Sequence, residues 1–136
     1  MQRLNNRGNE APMITDRWRV RLDVPAETRH LHIVRLTTAA AAAEAGLDAE
    51  EVEDVKIAVD ELCSIAMAAT TATDEVLSLE FVAVDGELRI EATIPSAEGM
   101  ELDDMARAIL GATVDTFAFG GGGRGGFQLT KSRRVP

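Results

Sequence analysis

The sequence predicts an α+β fold: a two-layer α/β sandwich with helices on one face of a mixed, mostly antiparallel sheet. Three observations point there. Segments 27–45 and 49–69 repeat apolar residues at three- and four-residue steps, the helical period. Two alternating runs, Val76–Val84 and Glu87–Ile94, are joined by Asp85-Gly86, a pair suited to the positive φ angles of a type I′ hairpin. A chain of 136 residues that is 46% hydrophobic is sufficient for one core and leaves little over.

In chain order, residues 1–15 carry Asn5, Asn6, Gly8, Asn9 and Pro12 and are expected to form a flexible arm ahead of a single domain over 16–136. Trp18, Val20, Leu22 and Val24 then alternate with Arg17, Arg19, Arg21 and Asp23, a half-buried strand with an arginine-rich outer face that Pro25 stops. The first helix presents Leu31, Val34, Thr38, Ala41 and Ala45 as one stripe of mostly small residues and ends at Gly46. Asp48 is placed to cap the second helix, with Glu51 at the capping-box position. Val52, Val55, Val59, Leu62 and Ala66 form its core face. After the hairpin, Pro95–Met100 reads as loop, and a short helix runs from Asp103 to about Leu110. Val114–Phe119 and Phe127–Lys131 close the fold as strands, joined by a glycine run at 120–126.

Charge is distributed unevenly. The net charge is −9, yet residues 44–104 hold eighteen acidic side chains against two basic ones, and both flanking segments are mildly basic. Such a field repels a phosphate backbone and disfavours nucleic-acid binding through the body of the domain. The single cysteine, Cys63, excludes an internally disulfide-stapled scaffold. The N-terminal residues lack an apolar core of signal-peptide length, and no stretch reaches the length of a membrane span, so a soluble cytoplasmic protein is expected.

Few residues invite chemistry. His30 and His32 stand two apart in a helix and cannot share a metal from it, and with one cysteine no metal site is expected. Cys63 at the edge of the core stripe reads as a buried, inert thiol. The glycine run lacks the helix N-terminus that a phosphate cradle needs, and Lys131, Arg133 and Arg134 read as a solvated tail. More informative is the far side of the second helix, where Ile57, Glu61, Ile65 and Ala68 recur at four-residue steps. Isoleucines there mean a covered face, a pocket wall or a partner surface. Glu61 between them is either a partly desolvated base or one more solvating acid.

The run Asp-Val-Lys-Ile-Ala-Val-Asp-Glu-Leu-Cys-Ser (54–64), behind a strand and an alanine-rich helix, resembles the anti-sigma regulatory factors of the RsbW/SpoIIAB type. These are serine-protein kinases on the Bergerat, or GHKL, ATPase fold. The resemblance extends from Arg17–Val24 to Phe127–Lys131, and the ending Leu110-Gly-Ala-Thr-Val-Asp-Thr-Phe followed by glycines looks like that family's closing hairpin. In the family this helix supplies a Glu-x-x-x-Asn box whose glutamate is the general base and whose asparagine holds Mg²⁺ against the nucleotide. Glu61 matches the base, but Ile65 stands where the asparagine should be and has no oxygen to offer a hard cation.

Two further departures follow. The Asp-x-Gly-x-Gly box that reads adenine survives only as Gly99, and the glycine-rich start of the lid helix is replaced by Leu102-Asp103-Asp104-Met105. The resemblance therefore implies a pseudokinase: an anti-sigma factor that sequesters an alternative sigma factor, is competed for by an anti-anti-sigma (STAS) protein, forms a homodimer, and needs no ATP or Mg²⁺ cofactor. The alternatives are an active ATP-dependent kinase using Glu61 as base, and a small-molecule binder whose pocket is walled by Ile57 and Ile65. By charge, Arg17, Arg19, Arg21, Arg29 and Arg35 are the expected partner or dimer contacts.

Overall fold

The structure is a computed structural model that describes residues 17–70, 73–95, 97, 101–119 and 125–134. The expected N-terminal arm, Gly99 and glycines 120–123 lie outside the described residues. The elements follow in the order β1 (Trp18–Pro25), α1 (Leu31–Glu44), α2 (Ala49–Ala68), β2 (Val76–Val84), β3 (Glu87–Ile94), α3 (Asp104–Thr113), β4 (Thr116–Phe119) and β5 (Gly125–Ser132).

Sheet order is β1-β2-β3-β5-β4. The sheet was expected to be mixed, but all four described ladders are antiparallel. Asp85 and Gly86 have φ of 51° and 82°, as the type I′ turn requires, so β2 and β3 have the predicted bounds. That turn fixes the register, Phe81 opposite Ile90 and Leu79 opposite Ala92, and places every second residue of both strands on one face. Leu77, Leu79, Phe81, Leu88, Ile90, Ile94 and Leu129 on that face are fully buried. The opposite face carries Glu80, Arg89, Glu91, Gln128 and Thr130.

All three helices cover the apolar face, with α2 in the middle, packed on both α1 and α3. The small-residue stripe of α1 is buried at each predicted position, which lets α2 approach closely. The first turn of α1 tightens into a 3₁₀ turn, Thr28–His30, because no side chain caps the exposed N–H groups there.

Two boundaries differ from expectation. The third helix continues through Gly111 to Thr113, whose hydroxyl donates to Ile109 O at 2.8 Å while Val114 N–H donates to Leu110 O. That uses up the backbone that Val114 would have given to β4. At the other end of the hairpin, Gly125 and Gly126 belong to β5. A Cβ at either would collide with the backbone carbonyl of Ala97 or Ala92, so these two glycines allow β5 to pass close to its neighbours.

Candidate functional site

Helix α2 carries the candidate site, and its two ends are built differently. At the N-terminal end, Asp48 Oδ1 accepts the Glu51 N–H and Glu51 Oε1 accepts the Asp48 N–H, both at 2.8 Å, the complete capping box. Glu51 is only 2% exposed, and its second oxygen accepts the Arg134 backbone N–H at 2.6 Å and lies 3.3 Å from that residue's Nε. The Arg134 guanidinium also pairs with Asp48 at 3.1 Å and Glu50 at 3.0 Å. Lys131 reaches Asp54 at 3.4 Å and donates to Thr113 O at 2.8 Å, and the Arg133 N–H donates to Gly86 O. Of the three basic residues read as a solvated tail, Lys131 and Arg134 are instead a clasp on the start of α2, and Arg133 is tied to the β2–β3 turn. Complementary charge was its signal in the sequence, an acidic first turn at 48–54 and a basic end at 131–134.

The clasp perturbs its own groups. The Asp48 carboxyl is held below the ordinary carboxylate range, first by the Glu51 N–H it accepts and then by the Arg134 guanidinium, while partial desolvation opposes both. Arg134 is held charged more firmly still by hydrogen bonds to Glu50 and Asp48. Further along α2, burial pushes the Cys63 thiol far up, and the Asp60 carboxylate adds to the shift. The thiol is buried in the core and inert by the logic that only thiolates react.

Toward its C-terminal end α2 turns a second stripe outward. Ile57 is 47% exposed, Glu61 and Ile65 are half-buried, and Ala68 is exposed. Among the described residues Glu61 makes no hydrogen bond or ion pair, whereas its neighbour Asp60 takes Arg35 Nε of α1 at 2.8 Å. The expected stripe is present, with a carboxylate between two aliphatic side chains. Ile65 lies one turn beyond Glu61 and presents no oxygen. At the start of α3, Asp103 is the N-cap and accepts the Ala106 N–H at 2.8 Å, with Asp104 in the first turn. The backbone donors of that helix start face carboxylates of the same chain.

The five candidate arginines do not form one surface. Arg17, Arg19 and Arg21 lie on the solvent face of β1, since Trp18, Leu22 and Val24 between them pack into the core. Their ion pairs with Asp85, Glu80 and Asp23 are each 3.5 Å long and exposed. Arg29 and Arg35 belong to the helical layer, on the other side of the sheet, paired with Glu27 and Asp60. The histidines diverge as expected: His32 Nδ1 lies 3.0 Å from Arg29 O on the exposed side, while His30 turns inward. Among the described residues no three His, Cys, Asp or Glu side chains converge on a metal-sized site. No helix among them is long and apolar enough to cross a membrane.

The histidine kinase-like ATPase domain model matches residues 24–125. The chain is 32% identical over 110 residues to the serine-protein kinase RsbW of Bacillus subtilis strain 168, covering 75% of this chain and 67% of that protein. Its fold is similar to the RsbU and RsbW domains of Rv1364c from Mycobacterium tuberculosis, with a TM-score of 0.62 and 22% identity. That match covers 86% of this chain and spans 32% of the longer Mycobacterium chain.

Proposed function

The chain belongs to the histidine kinase-like ATPase domain family, as an RsbW-type member, and from that premise we propose that it is an anti-sigma factor that binds an alternative sigma factor without phosphorylating anything. The observation that carries this reading is the pair Glu61–Ile65 on α2. By the resemblance Glu61 stands where the family has its base, and the residue where the family holds its metal, Ile65, is aliphatic. Phosphoryl transfer depends on metal and positive groups meeting charge on the phosphates. The residues here do not fit a magnesium nucleotide: Ile65 offers no ligand, and Asp103 and Asp104 put negative charge at the helix start that should face phosphate. Lys131, one of the few cations near α2, is already committed to Asp54 and Thr113 O.

In this reading the protein works in the cytoplasm as a homodimer and an anti-anti-sigma protein competes for it. Its release signal is something other than phosphorylation of that competitor. The rival reading is an active kinase, and it draws on the name of the Bacillus relative, a serine-protein kinase, together with the retained Glu61. Co-purification separates the two. The tagged protein should retain a sigma factor equally with and without Mg-ATP, and a STAS-domain protein added with Mg-ATP should gain no phosphate. Phosphate transfer to a serine of that protein, lost in Glu61→Gln, would establish the kinase instead.

A further inference from the structure

The solvent face of the sheet holds a cleft for which the proposed function has no use. Strand alternation turns Val76 and Ser78 of β2 and Thr93 of β3 to this face, and the register sets Ser78 directly between Asp23 and Thr93. Arg21 from β1, Asp74 and Glu75 ahead of β2, and Pro95 after β3 complete the lining of a hollow of about 340 Å³. That volume is in the range of small-molecule sites. A second hollow of about 150 Å³ shares Arg21, Ser78 and Thr93 and adds the carboxylates of Glu80 and Glu91.

The lining of the larger hollow divides into three kinds of chemistry. Arg21 is its one cation, and the pair it makes with Asp23 is 3.5 Å long and exposed, of the kind that contributes little. Asp74 and Glu75 are its anions. Among the described residues their carboxylates and the hydroxyls of Ser78 and Thr93 make no side-chain hydrogen bond or ion pair. Asp74 is held at a φ of 61°, in the left-handed region that a non-glycine residue occupies at a cost. Val76, 44% exposed, and Pro95 supply an apolar wall.

We propose that this cleft binds a free α-amino acid with a small apolar side chain. The ligand carboxylate meets the Arg21 guanidinium, whose forked donors match a carboxylate, and the hydroxyls of Ser78 and Thr93. The ligand ammonium meets Asp74 and Glu75, and its side chain lies on Val76 and Pro95. An anion alone leaves both carboxylates unanswered, and a cation alone leaves Arg21 without a partner. A ligand carrying both charges answers the whole lining. Glu80 and Glu91 in the adjoining hollow repel an acidic side chain, which selects against aspartate and glutamate. The cleft lies across the sheet from the helices, so its binding does not depend on the sigma-factor assignment.

The test titrates the full, isotope-labelled chain with L-valine at fixed ionic strength and follows the amide resonances. The amides of Arg21, Val76, Ser78 and Thr93 should shift and saturate at millimolar valine, while those of α2 and β4 stay in place. L-valinamide keeps only the cation, and N-acetyl-L-valine keeps only the anion. Each should bind at least about tenfold more weakly than valine, the loss of one hydrogen-bonded charge. L-glutamate should also bind more weakly than valine. Arg21→Gln should reduce valine binding to the level of valinamide, and Asp74→Asn/Glu75→Gln should reduce it to that of N-acetylvaline. Asparagine tolerates the left-handed backbone at position 74, and unchanged resonances away from the cleft check the fold of each variant. If the double variant does not fold, Glu75→Gln alone reads the same loss, reduced. Equal binding of valine and its two derivatives, saturable shifts centred elsewhere, or no saturable shift at tens of millimolar valine would overturn the proposal.

Discussion

The two ends of α2 use their acidic residues in opposite ways. At the N-terminal end Asp48, Glu50, Glu51 and Asp54 are met by Lys131 and Arg134, and Glu51 is buried with both oxygens satisfied. Toward the other end Glu61 stands between Ile57 and Ile65 and, among the described residues, has no partner. The strongly negative middle of the chain is therefore not one field. Its first part is counter-charge that holds the C-terminal strand to the helix, and its later part lies over the ground where the family handles nucleotide. Acidity at one end is structural; at the other Glu61 is left unpaired among the described residues.

If that contrast is right, substitutions at the two ends should differ in kind. The largest effect belongs to Glu51→Ala, which leaves the Asp48 and Arg134 N–H groups and a guanidinium without their buried acceptor. A loss of about 1–3 kcal/mol in denaturant unfolding is expected, in the range for leaving hydrogen-bond donors unsatisfied at a buried position. Glu61→Ala, on the open end, should change stability by less than about 0.5 kcal/mol, as surface changes do. A loss there comparable to that of Glu51→Ala would mean Glu61 is structural and would remove the contrast.

Removing Arg134 as Arg134→Ala should lower the unfolding midpoint by less than Glu51→Ala, and its own effect should shrink in high salt. The clasp also has a pH signature. The folded Asp48 carboxyl is held below its unfolded value, so its contribution is complete above that value and fades as pH falls through the folded one. Wild type should lose more midpoint than Asp48→Asn between about pH 5 and pH 3. The smallest effect is a negative one. Cys63 should react with a thiol reagent only on unfolding, since its thiol is buried and its ionisation suppressed.

Much of the fold was legible because local rules and tertiary packing agree. The capping box at Asp48 and Glu51, the Asp85-Gly86 turn and the small-residue stripe of α1 each have a short-range physical cause, and each formed where expected. The clasp was legible only as two runs of opposite charge, not as a pairing. Arg134 and Glu51 lie 83 residues apart, and nothing near either one names the other. The end of α3 was missed for a related reason: Gly111 looks like a stop until Thr113 bonds back to Ile109. In the candidate site the alternating stripe Ile57, Glu61, Ile65 was readable from helical period alone. The five arginines were grouped by charge, and the sheet separates them, three on its solvent face and two in the helical layer.

The central claim is that the open end of α2 no longer serves a nucleotide. A calorimetric titration of the purified protein with Mg-ATP tests it most directly. No saturable heat is expected up to millimolar nucleotide, in wild type and in Glu61→Gln alike. Micromolar Mg-ATP binding to the wild type would contradict the account.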